Sequence, residues 1–158
     1  MSQKIIKYQT VYCPSNGDSI YGGYGDYCFV SSDRSKNASL TYLREPPFGD
    51  AYGRLIIEGR PFPGYVWGSF FAWSPDSRYF SFAWMQTLYD RKTVIADINT
   101  TTFCVLTDYI HDMILGDNPL TLTDKKTGFT HRGIHKVEWQ SYKDVQHPAV
   151  WTERAQYN

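Results

Sequence analysis

Apolar residues crowd the middle of the chain in short runs, at 67–73 (WGSFFAW), 78–85 (RYFSFAWM), 92–98 (KTVIADI) and 102–106 (TFCVL). Turn-forming stretches separate them: Ser74–Ser77 with its proline, the segment leading through Asp90-Arg91, and Asn99-Thr100-Thr101. Short runs rich in aromatic and β-branched residues, spaced by such turns, predict four antiparallel strands joined as a meander. A strand with one wet face should alternate apolar with polar side chains, and FAWSPDSRYFSFAW (71–84) does not. Its pattern predicts a hairpin covered on both faces.

The first half of the chain is rich in Gly, Ser, Tyr and Pro and offers shorter strand candidates at 5–12, 27–32, 38–43 and 53–59. Arg44-Glu45-Pro46-Pro47 and Arg60-Pro61-Phe62-Pro63 read as connecting loops, because proline cannot donate to a central ladder. Near the C-terminus, 135–140 (HKVEWQ) and 149–153 (AVWTE) predict a last hairpin around 142–147. The one helix expected is DYIHDMIL (108–115), where Tyr109 with Met113 and Ile110 with Ile114 stand at i,i+4. The expected fold is therefore mainly β, with antiparallel sheets arranged as a β-sandwich or a partial, propeller-like half-barrel, and at most one short helix. At 158 residues it is expected to form a single domain over 1–158.

Composition narrows the function classes. Sixteen basic residues balance sixteen acidic ones. That balance argues against a general nucleic-acid or anionic-membrane binder, which carries a basic excess. Aromatic content is 17%, led by 13 Tyr and 9 Phe, which suits packed sheets and protein interfaces. Cys13, Cys28 and Cys104 are odd in number and lack CxxC spacing, so they read as free thiols of a reducing compartment. MSQKIIKYQT has no apolar signal-peptide core, and no run reaches the length of a membrane span. A cytoplasmic protein is expected, in which the glycosylation-like Asn37-Ala38-Ser39 and Asn99-Thr100-Thr101 have no role.

WSPDSRYFSF (73–82) resembles the hairpin of TolB-like and WD-repeat propeller blades, with the likeness running over residues 66–106. The resemblance implies strands sandwiched between neighbouring sheets, with Trp73 and Tyr79 packing across the turn and Phe80, Phe82 and Trp84 lining the opposite face. Ser77 stands where the pattern has glycine, which predicts a turn without positive φ at that position. Propellers need about four to eight blades, and the motif occurs once here. One blade-like meander packed on a second sheet is the expected arrangement. In size and type the whole chain resembles the single-domain immunity proteins of bacterial polymorphic-toxin and contact-dependent growth-inhibition systems. That resemblance implies a non-enzymatic antitoxin that binds one cognate toxin, commonly a nuclease, and covers its active site.

Candidate chemistry is sparse. His131 and His135 have a metal-ligand spacing, but Gly133 between them and the loop context oppose a helical pair, so no metal is expected. Tyr21-Gly22-Gly23-Tyr24-Gly25-Asp26-Tyr27 lacks the grammar of a phosphate loop and reads as a mobile turn or a contact surface. No nucleophile signature is present. No catalytic residue and no cofactor are expected, nor direct contact with nucleic acid. The expected partner surface is DYIHDMILGD (108–117), where Asp108, Asp112 and Asp117 stand with no Lys or Arg among them. Tyr109 lies beside these carboxylates. Glu45 and Asp50 form a second acidic stretch, and Tyr21, Tyr24 and Tyr27 offer aromatic anchors. Fixed carboxylates suit a nuclease, whose own site must be positive to hold phosphates. Two other classes fit the same composition. A lipocalin-like barrel would bind an apolar dye saturably, and an adaptor would pair through a sheet edge with a larger complex.

Overall fold

The computed structural model describes residues 5–155. The first half of the chain supplies β1 (Gln9–Tyr12), β2 (Ile20–Tyr21), β3 (Tyr27–Val30), β4 (Asn37–Arg44), β5 (Tyr52–Ile57), β6 (Arg60–Pro61) and β7 (Tyr65–Trp67). The aromatic centre follows as β8 (Phe70–Trp73), β9 (Tyr79–Met85), β10 (Lys92–Asp97) and β11 (Thr102–Leu106). Last come β12 (Met113–Asp117), β13 (Leu120–Asp124), β14 (Thr130–His131), a 3-10 turn at Ile134–Lys136, β15 (Gln140–Ser141) and one short helix, α1 (Val150–Ala155). The fold is mainly β, as the hydrophobic pattern predicts.

Across the main sheet the order is β1, β3, β4, β5, β7, β9, β10, β11, β15. β9 organises it, because its one edge is shared. β7 pairs at Trp84 and Met85, while β8 pairs at Phe80 and Ser81. The expected meander is present as β8 to β11, each strand antiparallel to the next. β1 departs from the antiparallel expectation: it runs parallel to β3, because the intervening segment crosses the sheet to pair β2 with β8.

The covered hairpin has two partners, one on each face. Phe71, Trp73, Phe80, Phe82, Trp84, Val94, Ala96 and Phe103 point into one cluster with Phe29, Leu40, Leu55 and Ile57 from β3 to β5. Strands far apart along the ladder thus meet inside the curl, and the Trp73 indole N–H donates to the Phe29 carbonyl at 2.9 Å. Ala72, Ile95 and Cys104 point the other way. There the small sheet of β12, β13 and β14 lays Met113, Leu115, Leu120 and Leu122 over them. Burial of apolar area on both faces is the stabilising term, at about 25 cal/mol per Å2.

Several segments differ from the sequence-based expectation. Residues 108–115 do not form a helix. They are an irregular approach to β12, whose Met113 and Leu115 alternate inward as a strand requires. The expected strand 149–153 is instead helical from Val150, as the start of α1, and the expected strand 135–140 falls across the end of the 3-10 turn and the first residue of the two-residue β15. The expected strand 67–73 is split at Gly68-Ser69. Trp73 pairs in register with Phe80, so these two share a face with Phe82 while Tyr79 lies on the other. Arg60 and Pro61, expected as loop, make an edge pairing with β5, where a missing proline N–H is tolerated.

The blade-type turn also departs from expectation at Ser77, whose φ is 63°. The Ser77 N–H donates to the Ser74 carbonyl at 2.9 Å, and its hydroxyl donates to Asp33 Oδ1 at 2.8 Å. Asp33 Oδ1 also accepts from the Ser35 backbone and hydroxyl and from the Ser31 hydroxyl, which together hold its carboxyl well below the usual carboxylate range. The side-chain bond offsets the left-handed backbone, which costs about 1–2 kcal/mol for a residue with a Cβ. Ser77→Ala is therefore expected to lose about 1 kcal/mol, since it keeps the strain and loses the bond. Ser77→Gly loses the bond but removes the strain and should stay near the parent in urea denaturation. Equal midpoints for the two variants would remove the backbone argument.

Candidate functional site

Four loops meet at one end of the main sheet: 21–25, 44–50, 86–91 and 107–111. Close backbone approach places the first of them. A Cβ on Gly68 would lie 2.3 Å from the Gly23 carbonyl oxygen, so only glycine lets the Tyr/Gly loop seat there. The Gly22 and Gly23 N–H groups then donate to Ser69 and Gly68 carbonyls at 2.7 and 3.2 Å. The Tyr24 hydroxyl reaches the Gly49 carbonyl at 3.2 Å, and the Tyr27 hydroxyl donates to the Tyr24 carbonyl at 2.8 Å.

Arg91 ties these loops together. Its guanidinium lies 4.0 Å over the Trp67 ring and donates to Asp50 Oδ2 at 2.8 Å. The Trp67 indole N–H donates to the Asp90 carbonyl at 2.8 Å, fixing the loop before Arg91. Partial burial opposes the Arg91 charge, but hydrogen bonds to Asp50 and Tyr109 outweigh it and raise its pKa. Tyr109 in turn bonds His111 Nδ1 at 3.0 Å; His111 packs edge-on against Phe70, and Phe70 against Tyr21. Tyr24, Arg44, Glu45, Pro46, Phe48, Asp50 and Arg91 line an open hollow of about 720 Å3.

Exposed apolar side chains stand on these loops. Phe48 is 109% exposed at φ 60°, an unfavourable backbone angle that holds its ring in solvent. Tyr24 is 55% exposed, Leu88 66% and Tyr89 49%.

Of the nine residues singled out from the sequence, Tyr21, Tyr24, Tyr27, Glu45, Asp50 and Tyr109 come together here, and exposed Asp108 lies in the same loop as Tyr109. Asp112 and Asp117 lie away from the hollow, at opposite ends of β12. Asp112 accepts from the Ser19 hydroxyl and stands 3.8 Å from Lys125 Nζ. Asp117 accepts the Asp76 N–H at 2.6 Å; burial first, then the Asp76 carboxylate, raises its pKa. Sequence reasoning passed over Phe48, Leu88, Tyr89 and Arg91. Pro-Pro-Phe-Gly at 46–49 was the available signal, an aromatic side chain on a stiff turn, whereas nothing local marks Arg91 as a hub.

A strap, residues 143–155, crosses the outer face of β4 and β5, two strands inside the sheet order. Glu153 is 3% exposed, and its carboxylate accepts from Arg54 Nε at 3.0 Å, Arg54 Nη2 at 2.6 Å and the Tyr65 hydroxyl at 3.0 Å. Arg154 donates to the Tyr42 carbonyl and to Asp26 Oδ1, both at 2.7 Å. His147 Nε2 donates to the Phe62 carbonyl at 2.6 Å, and burial lowers the His147 pKa.

The remaining histidines do not converge. His131 packs on Phe129, and His135 is exposed in the 3-10 turn. Among the described residues no group of three His, Cys, Asp or Glu side chains could hold a metal ion. All three cysteines are free, and burial pushes the Cys13 and Cys104 thiols up to about 12. No described helix is long and apolar enough to cross a membrane. No protein-family model matches the chain, nor does a curated protein or a solved structure.

Proposed function

We propose that the protein is a non-enzymatic inhibitor, an immunity protein that binds one cognate bacterial toxin and covers its active site. The observation that carries this reading is the concentration of exposed apolar side chains, Tyr24, Phe48, Leu88 and Tyr89, on loops at one end of a tightly packed molecule. Large rings beside charged groups have the composition of interface hot spots. The loops are braced by the Arg91–Asp50 ion pair, the Trp67–Asp90 bond and the Gly68 contact, so little ordering entropy is lost on binding. Glu45 and Asp108, both exposed, supply carboxylates beside the rings, which suits a partner with a positive active site such as a nuclease.

Packing inside the curl supports a surface site over an interior ligand. Phe62 touches Phe82, Trp84, Phe103 and Tyr142 at ring-centroid distances of 4.9, 5.8, 4.8 and 5.4 Å. Aromatic rings occupy the volume that a lipocalin-like barrel would leave for its ligand.

The test asks whether an adjacent reading frame encodes a large secreted protein, and mixes the C-terminal domain of such a protein with this chain. The two are expected to co-elute in gel filtration and the toxin activity to stop. Phe48→Ala combined with Tyr24→Ala should weaken binding at least about thirtyfold, the effect of losing one hot spot of 2 kcal/mol. A toxin that stays active in the mixture, or a complex indifferent to both substitutions, would overturn the proposal.

A further inference from the structure

The strap borders a second, half-open cavity that shares no lining residue with the hollow above. About 350 Å3 in volume, it is lined by Ile6, Tyr8, Thr41, Arg54, Ile56, Pro61, His147, Pro148 and Val150. That size falls at the lower end of small-molecule sites, about 300–1,000 Å3. Most of the wall is aliphatic, and the polar groups are few and of defined character.

Each of those groups states what a ligand must offer. Arg54 is committed: its Nε and Nη2 donate to Glu153 and its Nη1 to the Gly64 carbonyl at 2.8 Å. With its charge matched by a buried carboxylate, the floor gives no preference for an anion. A carbonyl can only accept, so His147 Nε2 carries the proton in its bond to Phe62, and neutral His147 leaves Nδ1 as an unused acceptor. The Tyr8 and Thr41 hydroxyls bond each other at 2.7 Å, which leaves one hydroxyl hydrogen of the pair still to donate. A hydroxyl group on the ligand can donate to the first and accept from the second.

The geometry points to a binding site for a small neutral molecule with a flat apolar body and one hydroxyl, a phenol-sized ligand. An apolar ring would displace water from Ile56, Pro61 and Val150, and the hydroxyl would satisfy the polar atoms that displacement leaves unpaired.

The probe is 4-methylphenol, with toluene and benzoate as comparators, titrated onto the full chain and read by ligand-observed saturation-transfer NMR. Saturable binding of 4-methylphenol is expected, with toluene about fivefold weaker for want of the hydroxyl and benzoate weaker than 4-methylphenol. Ile56→Trp, which fills the cavity from the sheet side, should abolish 4-methylphenol binding. Val150→Trp fills it from the strap side and makes the same test if Ile56→Trp fails to fold. The site is overturned by absence of saturable 4-methylphenol binding, by toluene or benzoate binding as tightly, or by binding that survives a folded cavity-filling variant.

Discussion

Phe82→Ala is expected to lower the melting temperature by about 10 °C. Phe82 is fully buried at the middle of β9, with Phe62 edge-on at 4.9 Å and Phe80 at 5.7 Å. β10 covers it in register through Val94. With Val94 beside it and the rings of Phe62 and Phe80 packed on it, the site has little room to collapse, so the lost transfer energy and the cavity add. Such truncations cost about 3–5 kcal/mol, against a total stability of about 5–15 kcal/mol. Phe48→Ala is the control: its ring is solvent-exposed, and its removal should leave the melting temperature unchanged. Thermal unfolding followed by circular dichroism separates the two. If Phe82→Ala melts within about 2 °C of the parent, less than 1 kcal/mol of effect, the buried-hairpin assignment is wrong.

The same hairpin shows what the hydrophobic pattern could convey. Continuous apolar runs at 78–85 implied cover on both faces, and the structure supplies two different covers, the curled first half of the sheet and the small β12–β14 sheet. The pattern did not say which side chains faced which cover. That depended on register, and pairing Trp73 with Phe80 put Tyr79 on the face opposite to Trp73. Ser77 was misleading for another reason. Its left-handed backbone is supported by Asp33, 44 residues away in sequence, a contact invisible to local turn rules.

Residues 108–115 and 149–153 exchanged their expected states because each is short. Over eight residues, Tyr109 with Met113 and Ile110 with Ile114 satisfy a helical spacing, while Met113 with Leu115 satisfies a strand. The clearer signal lay just downstream, where Asn118-Pro119 marks a turn and LTLTD (120–124) alternates cleanly; read together they give the β12–β13 hairpin. The acidic residues divide along the same line. Asp112 and Asp117 looked unopposed because Lys125 and the Asp76 amide lie outside the segment, and only folding brings them near. Tyr24, Glu45 and Asp50 were legible as surface residues because they sit on Gly- and Pro-rich loops, which chain chemistry alone places at the surface, and Tyr21 and Tyr27 flank the first of these loops at the end of β2 and the start of β3.

α1 illustrates tertiary control most directly, and its anchor carries the second large expected effect. A helix of six residues has no stability of its own in water. Glu153 holds it by accepting three donors in a nearly water-free position, and Arg154 adds the bonds to Tyr42 and Asp26. Glu153→Ala removes the carboxylate but leaves Arg54 charged and largely covered, with the Gly64 carbonyl as its remaining bond from this network. Breaking a buried pair from one side costs about 3–5 kcal/mol. Because α1 packs on the outer face of β4 and contributes no residue to the core clusters, that cost is expected to appear as local release of the strap. Amide exchange should accelerate at least tenfold in 150–155 while β9 and β10 stay protected. Replacing both partners, Arg54→Met with Glu153→Met, should restore much of the strap's protection, since most of the single-variant penalty is the stranded charge and not the loss of attraction. Unchanged exchange at α1 in Glu153→Ala would mean that Arg154 alone docks the helix. A double variant no better than the single one would mean that the ion pair itself, more than the relief of an unpaired charge, keeps the strap in place.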